Sequence, residues 1–208
     1  MRSAAFTRRD LLATICVVLV LAFFFWSRWR RTQYRRSASE CRQQLKQVWI
    51  QYAVFYTDNG DKGPTQISTN QQGTLEYALN PGLAYMHFRQ LFSEYEPTIQ
   101  ILSCPTDAKK SVRTFKEFSN ANLSYFISVS AHPPDSNWVL SGDRNLTGAS
   151  NVMFDPYKAE SIKWHPEMGL HGDSGYVAYF NGQVDLTSSI GLAKAFGKAS
   201  GTNLIAIP

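Results

Sequence analysis

The sequence predicts an α+β fold in which a long N-terminal helix, membrane-spanning in its first part, packs on a small antiparallel β-sheet. Three observations predict it. None of the 13 glycines or 9 prolines falls before Gly60, so nothing interrupts a helix up to that point. Beyond a first apolar run, hydrophobic residues recur with helical period. After Gly60 short alternating runs separated by Gly, Pro and Asn replace that period.

The first element is the apolar run. From Leu11 to Trp26 the chain reads LLATICVVLVLAFFFW, broken only by Thr14. At about 1.5 Å per residue it spans ~24 Å, a little short of the ~30 Å hydrocarbon core of a bilayer. Arg28, Arg30 and Arg31 follow at once and argue against a buried core helix, because they behave as interfacial anchors. No small-residue A-x-A site follows as in a secretory signal peptide, so a membrane anchor fits best. Thr7-Arg8-Arg9-Asp10-Leu11-Leu12 also looks like a twin-arginine export signal. The boundaries expected are residues 1–10 for a leader region, 11–30 for the span, 31–59 for an amphipathic continuation and 60–208 for a globular head.

The second element continues the first. Ala38, Cys41, Leu45, Val48, Tyr52 and Phe55 step by three and four and form one stripe. Glu40, Arg42, Gln43, Gln44, Lys46, Gln47 and Gln51 take the other side. A continuous helix from Leu11 to Thr57 makes a rod of ~70 Å with its last two turns packed on a domain. Thr57-Asp58-Asn59-Gly60 stops it and Pro64 confirms the stop.

Short elements follow. Thr74–Leu79 and Phe88–Tyr95 are expected helices, ended by Asn80-Pro81-Gly82 and Pro97. Ile99–Leu102, Leu123–Ser130 and Trp138–Leu140 are β-like. Tyr176–Phe180 and Gln183–Leu186 flank Asn181-Gly182, a strong hairpin signal whose two turn positions are expected at positive φ.

Charge limits the function classes. The net charge of +5 sits at the N-terminus: residues 1–36 hold eight arginines against Asp10 alone, and the rest of the chain carries −2. No basic surface therefore marks the globular part for nucleic acid. Three arginines precede the span and five follow it closely, which by the positive-inside rule places the head in the cytoplasm. The cysteines favour the opposite side. Cys16 lies in the apolar run, Cys41 on the helical stripe and Cys104 after a β-like run. A Cys41–Cys104 disulfide would pin helix to sheet and requires an oxidising compartment; two separate buried thiols are the alternative.

Catalytic signals are weak. Gly172-Asp173-Ser174-Gly175 looks like a serine-protease nucleophile motif and Ser130-Ala131-His132 faintly like its histidine partner, but too little chain separates them for two barrels. His165, His171 and Asp173, with Asp155 nearby, are metal-ligand types without the spacing of a known site. Asp58–Gly63 starts like an EF-hand loop but has Gly60 and Lys62 at ligand positions, and reads as a turn. The aromatics default to core.

Four stretches resemble type IV pilin-like proteins, more narrowly the type II secretion pseudopilins with their prepilin-type N-terminus. They are Ala5-Phe6-Thr7-Arg8-Arg9-Asp10-Leu11-Leu12; Cys41-Arg-Gln-Gln-Leu45-Lys46-Gln47 running to Asp58-Asn59-Gly60 and Pro64; Cys104-Pro105-Thr106-Asp107; and His171 through Tyr179-Phe180-Asn181-Gly182-Gln183-Val184. The chain has Ala5 where the family usually has Gly, Arg8-Arg9 for Leu-Ile, and Asp10 for Glu. The resemblance implies a non-enzymatic subunit on a bacterial inner membrane, single-pass, with a periplasmic or extracellular head. It implies cleavage by a prepilin peptidase between Ala5 and Phe6, with Asp10 pairing with the Phe6 amine of a neighbour during assembly. The implied partners are other pilin-like subunits and secretion or pilus assembly machinery. No cofactor is expected, except that major pseudopilins bind calcium in a C-terminal loop; the acids loosely placed for that are Asp143, in Ser141-Gly142-Asp143, and Asp155. A membrane-tethered extracytoplasmic binding module that does not polymerise is the alternative.

Overall fold

The computed structural model describes residues 8–93, 96–130, 137–147, 153–154, 162–168, 170–197 and 203–208. Helix α1 runs Arg8–Asp58 without a break. Two compact units divide within it, residues 1–37 and residues 38–208.

In the second unit α1 contributes one face to the core. Cys41, Leu45, Val48 and Tyr52 are buried, with Ala38 and Phe55 packed against them. Burial begins about five turns before the helix end, a longer contact than the two turns expected. Two residues assigned to the solvent side also engage the head. Gln44 Oε1 accepts from the Tyr125 hydroxyl at 2.6 Å, and Lys46 Nζ donates to Gly182 O at 2.7 Å. The helix stops with Gly60 in the left-handed region at φ 64, and Asp61 N–H reaches back to Tyr56 O at 2.9 Å.

Helix α2 spans Ala84–Leu91, beginning four residues before the start expected for it. Its buried residues Ala84, His87, Phe88 and Leu91 make the i, i+3, i+4, i+7 pattern that sets this frame. Thr74–Leu79 contains a single 3-10 turn, Leu75–Tyr77. Ile99–Leu102 is no strand: it ends a 3-10 helix, Glu96–Leu102. Ile99 and Leu102, three apart, both point into the core there.

The strands are β1 (Tyr125–Ser128), β2 (Val139–Asp143), β3 (Leu146–Thr147), β4 (Met153–Phe154), β5 (Lys163–Trp164), β6 (Ser174–Tyr179), β7 (Val184–Ser188) and β8 (Asn203–Ala206). Among the described residues they form a six-stranded sheet ordered β4-β8-β1-β2-β6-β7 and a separate β3-β5 pair. Every pairing is antiparallel. One face of the large sheet carries Tyr125, Ile127, Leu140, Tyr176 and Ala178 into the core shared with α1 and α2. The alternate residues Phe126, Val139, Val177 and Ile205 pack beneath a third helix, α3 (Ser189–Gly197), through Leu192, Ala195 and Phe196. Strands β1 and β2 are therefore buried along their whole length, as strands covered on both faces must be.

The β6–β7 connection corrects the turn expected. Only Gly182 has positive φ, at 83. Gly182 N–H bonds Tyr179 O and Tyr179 N–H bonds Gln183 O, both at 2.9 Å. This is a three-residue loop ending in a glycine bulge, so Asn181 keeps an ordinary backbone.

Candidate functional site

Among the described residues the first unit is helical. Residues 11–36 are exposed throughout, and the large side chains stand bare: Leu12 at 63%, Phe23 at 72%, Phe25 at 73%. A surface of this kind has no stable place in water, since contiguous exposed apolar area marks membrane or partner contact. The helix is long and apolar enough to cross a membrane. At its far end Trp26 and Trp29 meet edge to face, centroids 6.1 Å apart, and the Arg30 guanidinium lies 5.5 Å from the Trp26 ring. Ser27 and Thr32 hydroxyls donate to the carbonyls of Phe24 and Arg28 at 2.9 and 3.0 Å. They thereby hide their polar groups against the helix. Aromatic rings followed by arginines are the side chains that favour a headgroup region.

The processing residues Ala5 and Phe6 lie outside the described residues. Asp10 falls in the first turn of α1; its side chain lies outside the description too. So do Asp155 and His132.

In the head, three of the stretches singled out by sequence converge on one buried point. Cys41 and Cys104 are joined as a disulfide with Cα atoms 5.1 Å apart, tying α1 to the Cys-Pro turn. Both are buried, at 0% and 2% exposure. The Thr106 hydroxyl, which must be the donor toward a disulfide sulfur, sits 2.9 Å from Cys104 Sγ. Asp107 completes this stretch: burial pushes its carboxyl up, but paired hydrogen bonds from Arg144, at 2.7 and 2.9 Å, outweigh that and hold it below the usual carboxylate range. His171, from the last stretch, places Nε2 at 3.7 Å from Cys104 Sγ.

Asp143 closes the cluster. It is no member of an open calcium loop: it ends β2 with 0% exposure, its Oδ2 accepting from Tyr176 N–H at 2.6 Å. Its Oδ2 also lies 3.6 Å from His171 Nε2, a distance an ion pair could have. Burial decides otherwise. It pushes Asp143 up to about 8 and His171 down to about 4, so both are uncharged at neutral pH and the contact is between neutral groups. His165 and Asp173 do not join the cluster. His165 Nδ1 accepts from Glu167 N–H at 3.2 Å within its own turn. Ser174, the protease-like serine, donates to His171 O at 2.9 Å and so serves the turn.

Trp49, one of the aromatics expected by default in the core, donates its indole N–H to Phe180 O at 2.9 Å beneath the Lys46 ammonium, and sequence reasoning missed His87. The His87 ring is fully buried, with Nδ1 2.8 Å from the Thr74 hydroxyl, and burial pushes it down to about 4. Trp49 is one residue beyond the stripe position Val48. Nothing in the sequence marked His87. Compared with protein-family models, with curated proteins and with solved structures, the chain matches none.

Proposed function

We propose that the chain is a non-enzymatic, pilin-like subunit, anchored in a bacterial inner membrane by the first part of α1 and assembling through that helix with other such subunits. The head faces the periplasm or the exterior, where it selects partners in a secretion or adhesion filament. The observation that carries this reading is the bare apolar surface of residues 11–26 on a helix whose later turns belong to a folded head. The buried disulfide supports the outward orientation, because such bonds persist in oxidising compartments.

In assembly Phe6, freed by a prepilin peptidase, supplies an amine for Asp10 of the neighbouring subunit. A carboxylate at membrane depth is costly unless paired, so this contact would fix register. The test is N-terminal sequencing and intact mass of the protein from native membranes. A chain beginning at an N-methylated Phe6 is expected. An intact N-terminus on membrane-extracted protein overturns the assembly reading and leaves the second one, a tethered binding module that never polymerises. The charge of Arg8, exposed in the first turn of α1, favours that second reading, since tight helix packing would have to accommodate it.

A further inference from the structure

The cluster around Cys104 contains more chemistry than a structural disulfide uses. A disulfide is satisfied by apolar surroundings, yet this one lies among Thr106, His171 and Asp143, all brought there from different segments. Burying an imidazole and a carboxyl costs stability unless they are engaged. Asp143 Oδ1 is buried with no hydrogen-bond partner.

We propose that the dithiol form of the head is a divalent-metal site of zinc type, with Cys41, Cys104, His171 and Asp143 as ligands, and that disulfide and metal are alternative occupants of the same place. The ligand atoms of Cys41, Cys104 and His171 all lie within 4.8 Å of one another. Zinc binds thiolate at ~2.3 Å and imidazole or carboxylate at ~2.0–2.2 Å, so the edges of its tetrahedron measure roughly 3.3–3.8 Å. Two edges already have that length: Cys104 Sγ to His171 Nε2 at 3.7 Å, and His171 Nε2 to Asp143 Oδ2 at 3.6 Å. The edge between the two sulfurs is held short by their covalent bond, and Asp143, which neighbours His171 but lies outside the group that the other three form, has to swing toward the sulfurs to complete the set. Breaking that bond relaxes the edge in the direction a metal needs. Asp143 approaches the same imidazole nitrogen that faces the sulfurs, which makes it a fellow ligand rather than a support for the other ring nitrogen.

The surroundings suit the role. The Thr106 hydroxyl lies 2.9 Å from Cys104 Sγ and 3.9 Å from Cys41 Sγ, placed to donate to thiolates as outer partners of metal ligands do. Cys104 also lines the wall of a cleft of about 460 Å³ with Gln44, Pro105, Asp107 and Lys109, which puts one of the four residues at the edge of solvent-accessible space.

The steps balance. An external dithiol gives two hydrogens to the Cys41–Cys104 bond, yielding two protein thiols and the oxidised dithiol. Metal binding then releases both thiol protons and the Asp143 carboxyl proton to solvent, while His171 contributes a neutral nitrogen. The two occupants read the compartment: disulfide where the head meets oxidant, metal where it meets a reducing pool. The arginine distribution, with five of these residues just past the span, makes that distinction pertinent to which side the head reaches.

The test uses the full chain in detergent, carrying Cys16→Ser so that the remaining thiols are the two in question. After reduction with a phosphine it is titrated with Co²⁺, then Zn²⁺. The expected result is a thiolate-to-cobalt absorption band saturating at one equivalent, displaced by Zn²⁺ and absent from the oxidised chain. His171→Gln and Asp143→Asn should each weaken the affinity at least about tenfold. Absence of the band, or affinity unchanged in both variants, overturns the proposal. Circular dichroism of the same samples reports folding, and a reduced chain that unfolds and is not refolded by metal also counts against it. None of these outcomes depends on whether the subunit polymerises.

Discussion

Breaking the Cys41–Cys104 cross-link by reduction removes the covalent tie but leaves both sulfur atoms in the core, so no cavity is added. The two residues are 63 apart in sequence. Closing a loop of that length in the unfolded chain removes about 14 cal/mol/K of entropy, or ~4 kcal/mol at 25 °C. The native state contributes little to the change, because Cys41 and Cys104 are packed among Leu45, Leu102 and Leu170 in the same core and stay there. The assay is urea unfolding of the full chain in detergent, followed by tryptophan fluorescence, with and without a phosphine. A metal chelator is present in both so that no ion restabilises the dithiol. Reduction should lower the unfolding free energy by ~4 kcal/mol and the Tm by roughly 8–16 °C for a unit of this size. A loss below about 1 kcal/mol would refute the argument that this bond constrains the unfolded chain.

Other perturbations follow from the same geometry. Gly182→Ala should destabilise by about 1–3 kcal/mol in urea unfolding, because φ is +83 and the added Cβ would lie 2.8 Å from the Trp49 ring; a neutral effect would contradict the close packing of α1 on the hairpin. Phe196→Ala removes a side chain at 0% exposure that packs on Phe126 with centroids 6.2 Å apart, and should cost ~3–5 kcal/mol in the same assay. Leu19→Arg, at the middle of the apolar run, should reduce stable membrane integration by about 2.5–3.5 kcal/mol, read as the fraction resisting alkaline extraction; undiminished integration would argue that these residues do not span lipid. Stability should also peak near pH 6.5. Below it, His87 and His171, both held down to about 4, take up protons in the unfolded chain first, so stability falls as pH drops from 6.5 through 4. Above it, Asp143, raised to about 8, keeps its proton in the folded state while the unfolded carboxyl is ionised, so stability falls as pH rises toward 8. Asp143→Asn should flatten the alkaline limb in urea midpoints measured across pH, and a limb of unchanged slope would exclude this origin.

The apolar run, the stripe from Ala38 to Phe55 and the β6–β7 hairpin were legible because each is a local periodicity over consecutive residues. The frame of α2 differs from the one expected because Pro81-Gly82 reads as an end in sequence, whereas the buried set Ala84, His87, Phe88 and Leu91 starts the helix just beyond it. Ile99–Leu102 looked like a strand because a short apolar run carries no period of its own. Strand β8 and helix α3 went unread for a different reason. Asn203–Ala206 pairs with both β1 and β4, partners far from it in sequence, and α3 is positioned by the second face of a sheet that only the folded chain assembles.

By itself the sequence determined that an uninterrupted helix begins with a lipid-compatible segment and continues as an amphipathic one, since those properties depend on composition and neighbours a few residues away. It offered Cys41 and Cys104 as a candidate disulfide, with two separate thiols as the alternative, and identified His171 and Asp143 only as isolated residues. Their meeting within a few ångströms was decided by the tertiary structure, which joins α1, the Cys-Pro turn, the end of β2 and the approach to β6. Burial there holds the acid in its neutral protonated form and keeps the imidazole from taking up a proton, because desolvation depends on what surrounds a group in space and not on what precedes it in the chain.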